Sequence, residues 1–223
     1  MPSRTPIPRT AAAALRPLDW SRAALVWASV PALALLVAGA LMVFLSDNNP
    51  LFQKYDDGWN QLMLGSRTPW LTDVNRVLDF AGNDGMIIYS VALFLVLLRR
   101  HRRLAFFTAG ANVGVLVLTQ LIKILVARPR PENRLVHVDS GAYPSGHVSA
   151  TVAAAVVTAV VIGRLWMWIS AVILGIAMMY SRMYLGAHWL SDTIAGALLG
   201  AGFTLLLWAA VKNKCLNKNM PTD

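Results

Sequence analysis

Three short clusters of polar residues stand out in a chain whose sequence is otherwise largely apolar. Such groups are costly at membrane depth and occur there mainly to pair with one another or to carry out chemistry. Their grouping therefore predicts a functional site. The clusters are Lys123 with Arg130-Pro131, Pro144-Ser145-Gly146-His147, and Ser181-Arg182 with His188 and Asp192.

Three cations in these clusters predict a site for an anion. Arg130 and Arg182 present planar forks that match phosphate oxygens, whereas Lys123 supplies a compact charge. Together they could neutralise a phosphoryl group as it is transferred. The alternative is that each is an interfacial anchor whose charged end reaches water, which explains one such residue better than three.

The second cluster is typical of a helix start. Pro144 ends a loop, Ser145 is a predicted N-cap, and Gly146 lets the backbone approach a ligand closely. The amides of Ser145, Gly146 and His147 then form an anion cradle that the helix dipole assists. We expect His147 to act as a general acid on a leaving-group oxygen. The alternative is a plain N-cap beside an interfacial histidine.

His188 and Asp192 stand four residues apart, so on a helical turn they share a face. A carboxylate that accepts the Nδ1 proton leaves Nε2 free as a nucleophile or base, and it stabilises the imidazolium that develops. The alternative is a structural pair at a helix start. The residues alone leave both possibilities open.

Two histidines and one carboxylate could also form a facial triad for a metal. The three cations Lys123, Arg130 and Arg182 disfavour this interpretation, because they would repel a divalent metal and stabilise an anion directly. The sequence therefore predicts a site that contains no metal and needs no cofactor.

The elements that position these clusters are predicted to be membrane-spanning helices. Hydrophobic residues make up 57% of the chain and charged residues 14%, unlike a soluble domain. Run 23–45 is long enough to cross a core of about 30 Å and too long for a signal peptide. We predict an all-α polytopic membrane protein with about six transmembrane helices. The apolar runs are 23–45, 85–98 with an alternative start near Val77, 104–126, 148–162, 165–180 and 189–211, with a turn at Gly163-Arg164.

An interfacial helix is predicted after the first span. The polar stretch 47–76 places Phe52, Tyr55, Trp59 and Leu62 at helical spacing, the pattern of a helix lying in the membrane surface. We expect its aromatic residues to border the entrance for an amphiphilic substrate.

Orientation follows from the lysines and arginines in short loops. With six spans, the basic run 99–103 and Arg164 fall on one side, which is predicted to be cytoplasmic together with both termini. The net charge of +9 thus reflects topology and not a nucleic-acid partner. The three clusters reach the opposite, outer face. The predicted divisions are a flexible cytoplasmic arm at 1–22, a membrane domain at 23–211 and a cytoplasmic tail at 212–223, and the lone Cys215 excludes an intramolecular disulfide.

The complete set of motifs resembles the type 2 phosphatidic acid phosphatase superfamily. Six residues separate Lys123 from Arg130-Pro131, five separate Arg182 from His188, and three separate His188 from Asp192. The superfamily includes lipid phosphate phosphatases, bacterial phosphatidylglycerophosphatase B and undecaprenyl-pyrophosphate phosphatases. The motifs span residues 123–192, and the spans extend the likeness over most of the chain.

The resemblance implies a role for each candidate. His188 attacks phosphorus to form a phosphohistidine, Asp192 orients it, and His147 protonates the departing oxygen. The phosphoryl oxygens are bound by the remaining site residues, Lys123, Arg130, Ser145, Gly146 and Arg182, without a metal. Arg128 begins a second Arg-Pro pair, and the six-residue spacing selects Arg130 instead.

The resemblance implies a membrane phosphatase in the cytoplasmic (inner) membrane that acts on a lipid phosphate or diphosphate at the periplasmic or extracellular face. A phosphotransferase with the same intermediate is the near alternative. A transporter for an anion or lipid is disfavoured, because its pathway should carry polar groups through the full membrane depth, whereas these clusters lie at one end.

Overall fold

The chain forms an arrangement of helices, described by a computed structural model over residues 15–217, in which most loops are short and one, residues 127–145, is long. Residues 1–14 and 218–223, with parts of the predicted arm and tail, lie outside the described residues. A π-helical turn at Ala81–Gly85 joins helix Pro69–Phe80 to helix Met86–Leu98. The α-helices are α1 (Arg22–Leu45), α2 (Gln53–Gly65), α3 (Pro69–Phe80), α4 (Met86–Leu98), α5 (Arg102–Val126), α6 (Gly146–Ile162), α7 (Leu165–Tyr184) and α8 (Leu190–Leu216).

The prediction of about six spans is confirmed. Within the described residues, five helical segments are long and apolar enough to cross a membrane: α1, the 30-residue segment Pro69–Leu98, α5, α7 and α8. The shorter α6, with 17 residues, is the sixth. Alternation of the six segments brings the three polar clusters to one end of the bundle and the basic run 99–103 to the other.

The predicted boundary between the interfacial helix and the second span was wrong. The interfacial segment is only α2, and the second span begins at Pro69 instead of near Val77 or Gly85. Pro69 occupies the first turn of α3, where its missing N–H costs nothing and its fixed φ favours a helix. Residues 69–76 therefore belong to the spanning helix. Their polar side chains interrupt the apolar run, which is why the sequence placed the start of this span too late.

Helix α6 lies at the centre of the bundle and is buried along almost its whole length against α5, α7 and α8. Two glycines let α8 approach it. A Cβ atom at Gly196 would lie 2.6 Å from the Ser145 carbonyl oxygen, and one at Gly200 would lie 2.6 Å from that of Ser149. Small residues of this kind allow close helix packing within membranes.

The predicted turn at Gly163-Arg164 is confirmed. Gly163 ends α6 in the left-handed conformation with φ of 66°, and the backbone of Arg16 packs so closely that a Cβ atom there would overlap its carbonyl oxygen. The amide of Leu18 donates to the Val160 carbonyl at 2.7 Å. Residues 15–21 are thus held against this end of the bundle.

We expect Gly200→Ala to destabilise the protein by about 1–3 kcal/mol, because the added methyl group would press on the α6 backbone. Thermal inactivation in detergent measures this effect. Gly110→Ala is the matched control, since its Cβ atom would meet only Leu207 Cδ2 at 3.5 Å. Equal stability of the two variants would contradict the packing argument.

Candidate active site

Six of the predicted site residues line one cavity of about 340 Å³ at the end of the bundle that carries the polar clusters. They come from the end of α5, the loop that follows it, the start of α6, the last turn of α7 and the loop before α8. Ser145 and Asp192 are fully buried beside this cavity and are not among its lining residues. The six are Lys123, Arg130, Gly146, His147, Arg182 and His188.

The His188 ring presents an unprotonated Nε2 to the cavity. Arg130 Nη1 lies 3.0 Å from Nε2. Because a guanidinium can only donate, Nε2 must accept, and the proton of the neutral ring is therefore on Nδ1. Burial, followed by the positive charge of Arg130, holds the pKa of His188 well below its usual value. His188 is thus a neutral imidazole with a lone pair on Nε2.

The predicted hydrogen bond between His188 Nδ1 and Asp192 is not formed. Nδ1 lies 3.7 Å from Asp192 Oδ2, beyond hydrogen-bonding distance, and has no partner among the described residues. His188 precedes α8, so the pair does not share a helical turn. Asp192 instead lies in the first turn of α8, where Oδ2 accepts the Trp189 amide at 2.9 Å. Asp192 faces Nδ1 as a nearby negative charge.

Arg128 holds Asp192 in place. Its Nη1 donates to Asp192 Oδ1 at 2.6 Å and to Ser191 Oγ at 2.7 Å. Its Nη2 donates to Asp56 Oδ2 at 2.8 Å and to Gln53 Oε1 at 2.6 Å. The three ionic side chains are almost completely buried, so Arg128 links α2 and the start of α8 through one guanidinium.

Lys123 and Arg130 are held by the backbone of the loop before α6. The Gly141 carbonyl accepts from Lys123 Nζ at 2.5 Å and from Arg130 Nη2 at 3.1 Å. Arg130 also donates to the carbonyls of Ser140, at 2.9 Å, and Ala187, at 2.5 Å. Burial lowers the pKa of Arg130 to about 10, so the guanidinium remains charged at neutral pH. Both cations are thus fixed in position by carbonyls, and no carboxylate within residues 15–217 forms an ion pair with either of them.

A carboxylate that the sequence analysis missed lies between two predicted site residues. Asp79 Oδ1, on α3, accepts a hydrogen bond from Arg182 Nη1 and lies 3.0 Å from His147 Nε2. The signal available in the sequence was an acidic residue next to a long apolar run. Asp56 was missed for the opposite reason, because it sits in a polar stretch where an aspartate is unremarkable in composition.

Ser145 occupies the N-cap position of α6 as predicted, but its hydroxyl does not cap the helix. Its side chain makes no capping hydrogen bond to α6, and its hydroxyl is buried without a partner among the described residues. Its amide donates to the Asp192 carbonyl at 2.9 Å and is not available to an anion. The predicted cradle is thereby reduced to the amides of Gly146 and His147.

The cavity continues from the charged residues into an apolar part between α4 and α5, lined by Ile87, Val91, Val113 and Leu116. The aromatic residues that were expected to border the entrance do not line this cavity. Phe52 and Tyr55 line a separate apolar cavity of about 390 Å³ against α1 and α8. Phe52 lies instead 5.8 Å from the Arg128 guanidinium, on the other side of the site.

Comparison with known families agrees with this geometry. The profile of the PAP2 superfamily matches residues 103–215, more than half of the chain and all three polar clusters. The chain belongs to the PAP2 superfamily. It is therefore part of a family of membrane lipid phosphatases.

Two relatives of the chain are named for different lipid substrates. The chain is 32% identical over 145 residues to an undecaprenyl-diphosphatase of Sulfolobus acidocaldarius, covering 61% of this chain and 70% of the relative. It is 36% identical over 122 residues to a decaprenylphosphoryl-5-phosphoribose phosphatase of Mycobacterium tuberculosis, covering 52% and 66%.

A solved PAP2 structure shares the fold. The transmembrane PAP2 type phosphatidylglycerolphosphate phosphatase from Bacillus subtilis superposes with a TM-score of 0.68 at 19% identity. The match covers 87% of this chain and 100% of that one. The helical arrangement described above is therefore that of a known PAP2 membrane phosphatase fold.

We expect Arg128→Lys to lower phosphate release by about 10- to 100-fold, because a single ammonium cannot hold both Asp56 and Asp192 and small displacements of reacting groups are costly. Turnover of a lipid phosphate by the purified variant measures this. The matched control is Arg134→Lys, an exposed arginine of the same loop. Equal turnover by both variants would show that Arg128 does not position the site.

Proposed function

We propose that the protein hydrolyses a phosphate monoester or diphosphate of a lipid through a phosphohistidine intermediate on His188. The observation that carries the proposal is the 3.0 Å contact of Arg130 Nη1 with His188 Nε2, which requires an unprotonated Nε2, in a cavity with a charged end and an apolar end. A nucleophile needs a lone pair directed at phosphorus, and the cations beside it must stabilise the transferring group.

In the first step, Nε2 of His188 forms a bond to phosphorus as the bond from phosphorus to the leaving oxygen breaks. The proton of His147 passes to that oxygen, so the lipid leaves as a neutral alcohol or as a protonated phosphate. In the second step, water attacks phosphorus, His147 takes its proton, and the phosphorus–nitrogen bond breaks. Asp192, facing Nδ1, stabilises the positive charge that His188 carries in between.

The charge of the transferring group is balanced by protein cations in this mechanism. Lys123, Arg130 and Arg182 line the charged end of the cavity. Two of them are already fixed by backbone carbonyls, so they need little reorganisation when the phosphoryl group arrives. We therefore propose that the reaction is independent of a metal ion.

A lipid substrate is supported by the apolar part of the cavity, which passes between α4 and α5. Both sides of that passage are membrane-spanning helices, so an acyl or prenyl chain could extend from the phosphoryl site toward the bilayer. The relatives named above act on prenyl and glycerol lipids, which supports the same substrate class.

We also propose that the site faces the outside of the cytoplasmic membrane, with both termini in the cytoplasm. This orientation is supported by the basic run 99–103 and Arg164, which lie at the end of the bundle opposite to the site. Lysines and arginines in short loops favour the cytoplasmic side.

We expect His188→Ala to lower phosphate release by about 10³-fold or more, because it removes the nucleophile. The measurement is phosphate release from a panel of purified lipid phosphates and diphosphates. His137→Ala is the control, since His137 is a strongly exposed histidine of the loop before α6. Near-normal turnover by a correctly inserted His188→Ala protein would reject the mechanism.

Chelation should leave turnover unchanged, since the proposed stabilising charges belong to the protein. The test is phosphate release by the purified protein after dialysis against EDTA, compared with the same protein supplied with Mg²⁺. A strict requirement for the added cation would contradict the proposed metal-free site.

A further inference from the structure

The carboxylate of Asp79 contacts two hydrogen-bond donors, Arg182 and His147, that the proposed substrate also needs. A single oxygen, Oδ1, accepts from Arg182 and lies 3.0 Å from Nε2 of His147. Arg182 is proposed to bind a phosphoryl oxygen and His147 to protonate the leaving oxygen. The donors therefore converge on one point, which an anionic carboxyl oxygen fills.

A phosphoryl group and this carboxylate compete for the same place. Both are anionic acceptors of similar hydrogen-bond geometry, and two like charges cannot share the point between Arg182 and His147 without strong repulsion. The side chain of Asp79 is 29% exposed, whereas that of Arg182 is 1% exposed. Asp79 is thus the more accessible partner of the pair and the one that can turn away.

The local helix geometry keeps Asp79 beside His147. The π-helical turn Ala81–Gly85 begins two residues after Asp79, and its Gly82 packs against the site. A Cβ atom at Gly82 would lie 3.1 Å from His147 Cδ2 and 2.5 Å from Met178 Cε. This close approach brings α3 near enough for Asp79 to reach His147, and π-helical turns are often found at functional sites.

We propose, on the basis of the function proposed above, that the carboxylate of Asp79 competes with inorganic phosphate for Arg182 and His147. This competition weakens binding of the phosphate product and so favours its release. A lipid substrate can displace the carboxylate because its chain gains binding free energy in the apolar part of the cavity. Free phosphate has no such chain. The competition therefore weakens binding of the product more than it hinders turnover of the substrate.

The test is binding of radiolabelled orthophosphate to the purified full-length protein, which requires no turnover. We expect Asp79→Asn to bind phosphate about fivefold more tightly than the wild type, since the competing charge is removed. The amide oxygen can still accept from Arg182, so the buried guanidinium keeps a partner. Loss of structure or general damage at the site would change affinity in the opposite direction.

Two further variants make the result decisive. Asp79→Ser removes the same charge with a smaller side chain and should also tighten binding, so it decides the question if the Asn variant does not fold. Asp73→Asn is the matched control, because it removes an exposed carboxylate from the same helix, 3.6 Å from Arg76. Its phosphate affinity should stay within about twofold of the wild type.

Unchanged or weaker phosphate binding by the folded Asp79 variants would overturn the proposal, as would an equal gain in Asp73→Asn. Hydrolysis of a lipid phosphate by the wild type is measured in parallel. Absence of that hydrolysis would reject the proposed function, whereas the phosphate affinities would still report whether Asp79 competes for the site. The inhibition constant of phosphate in the hydrolysis assay should fall in Asp79→Asn by the same factor as the dissociation constant.

Discussion

The buried guanidinium of Arg128 constrains the whole end of the bundle that carries the site. Taking such a charge out of water is expensive unless carboxylates and hydrogen bonds compensate for it. Here the compensation comes from Asp56 on α2 and Asp192 on α8, at 2.8 and 2.6 Å. Both helices must therefore dock against the loop after α5. The same contacts place Asp192 beside His188, so neutralising one buried arginine also puts a negative charge next to the proposed nucleophile.

Unlike Arg128, two of the cations that line the cavity have backbone carbonyls instead of carboxylates as partners. Lys123 and Arg130 are held by backbone carbonyls, which fix their positions but do not cancel their charge. This arrangement leaves a positive field directed at the place where a phosphoryl group would develop charge, and such preorganisation costs little at the moment of reaction. Arg182 is the exception, because the carboxylate of Asp79 compensates for its charge. In the mechanism proposed above, Lys123 and Arg130 therefore serve the chemical step, whereas the pair of Arg182 and Asp79 serves release of the phosphate product.

Packing within the membrane supports this polar end. α6 is buried at the centre, and the glycines at 196 and 200 let α8 approach its backbone to near the contact limit. Ser145, at the start of α6, then donates its amide to the Asp192 carbonyl. The close contact between two apolar helices is thus continuous with the hydrogen bond that joins the second and third polar clusters. A cavity with an apolar wall opens on the other side, between α4 and α5.

The sequence by itself determined the helical class, the number of spans and the end of the bundle at which the clusters meet, because apolar length and the alternation of spans depend on local composition. The likeness in motif spacing also pointed to the superfamily. Only the tertiary structure decided the partners of the clustered residues. Asp79, Asp56 and Arg128 act through contacts between segments 64 to 103 residues apart, which no local pattern encodes. The missing bond from His188 to Asp192 and the apolar passage between α4 and α5 likewise depend on how helices pack, since packing sets the distances between side chains that spacing alone leaves free.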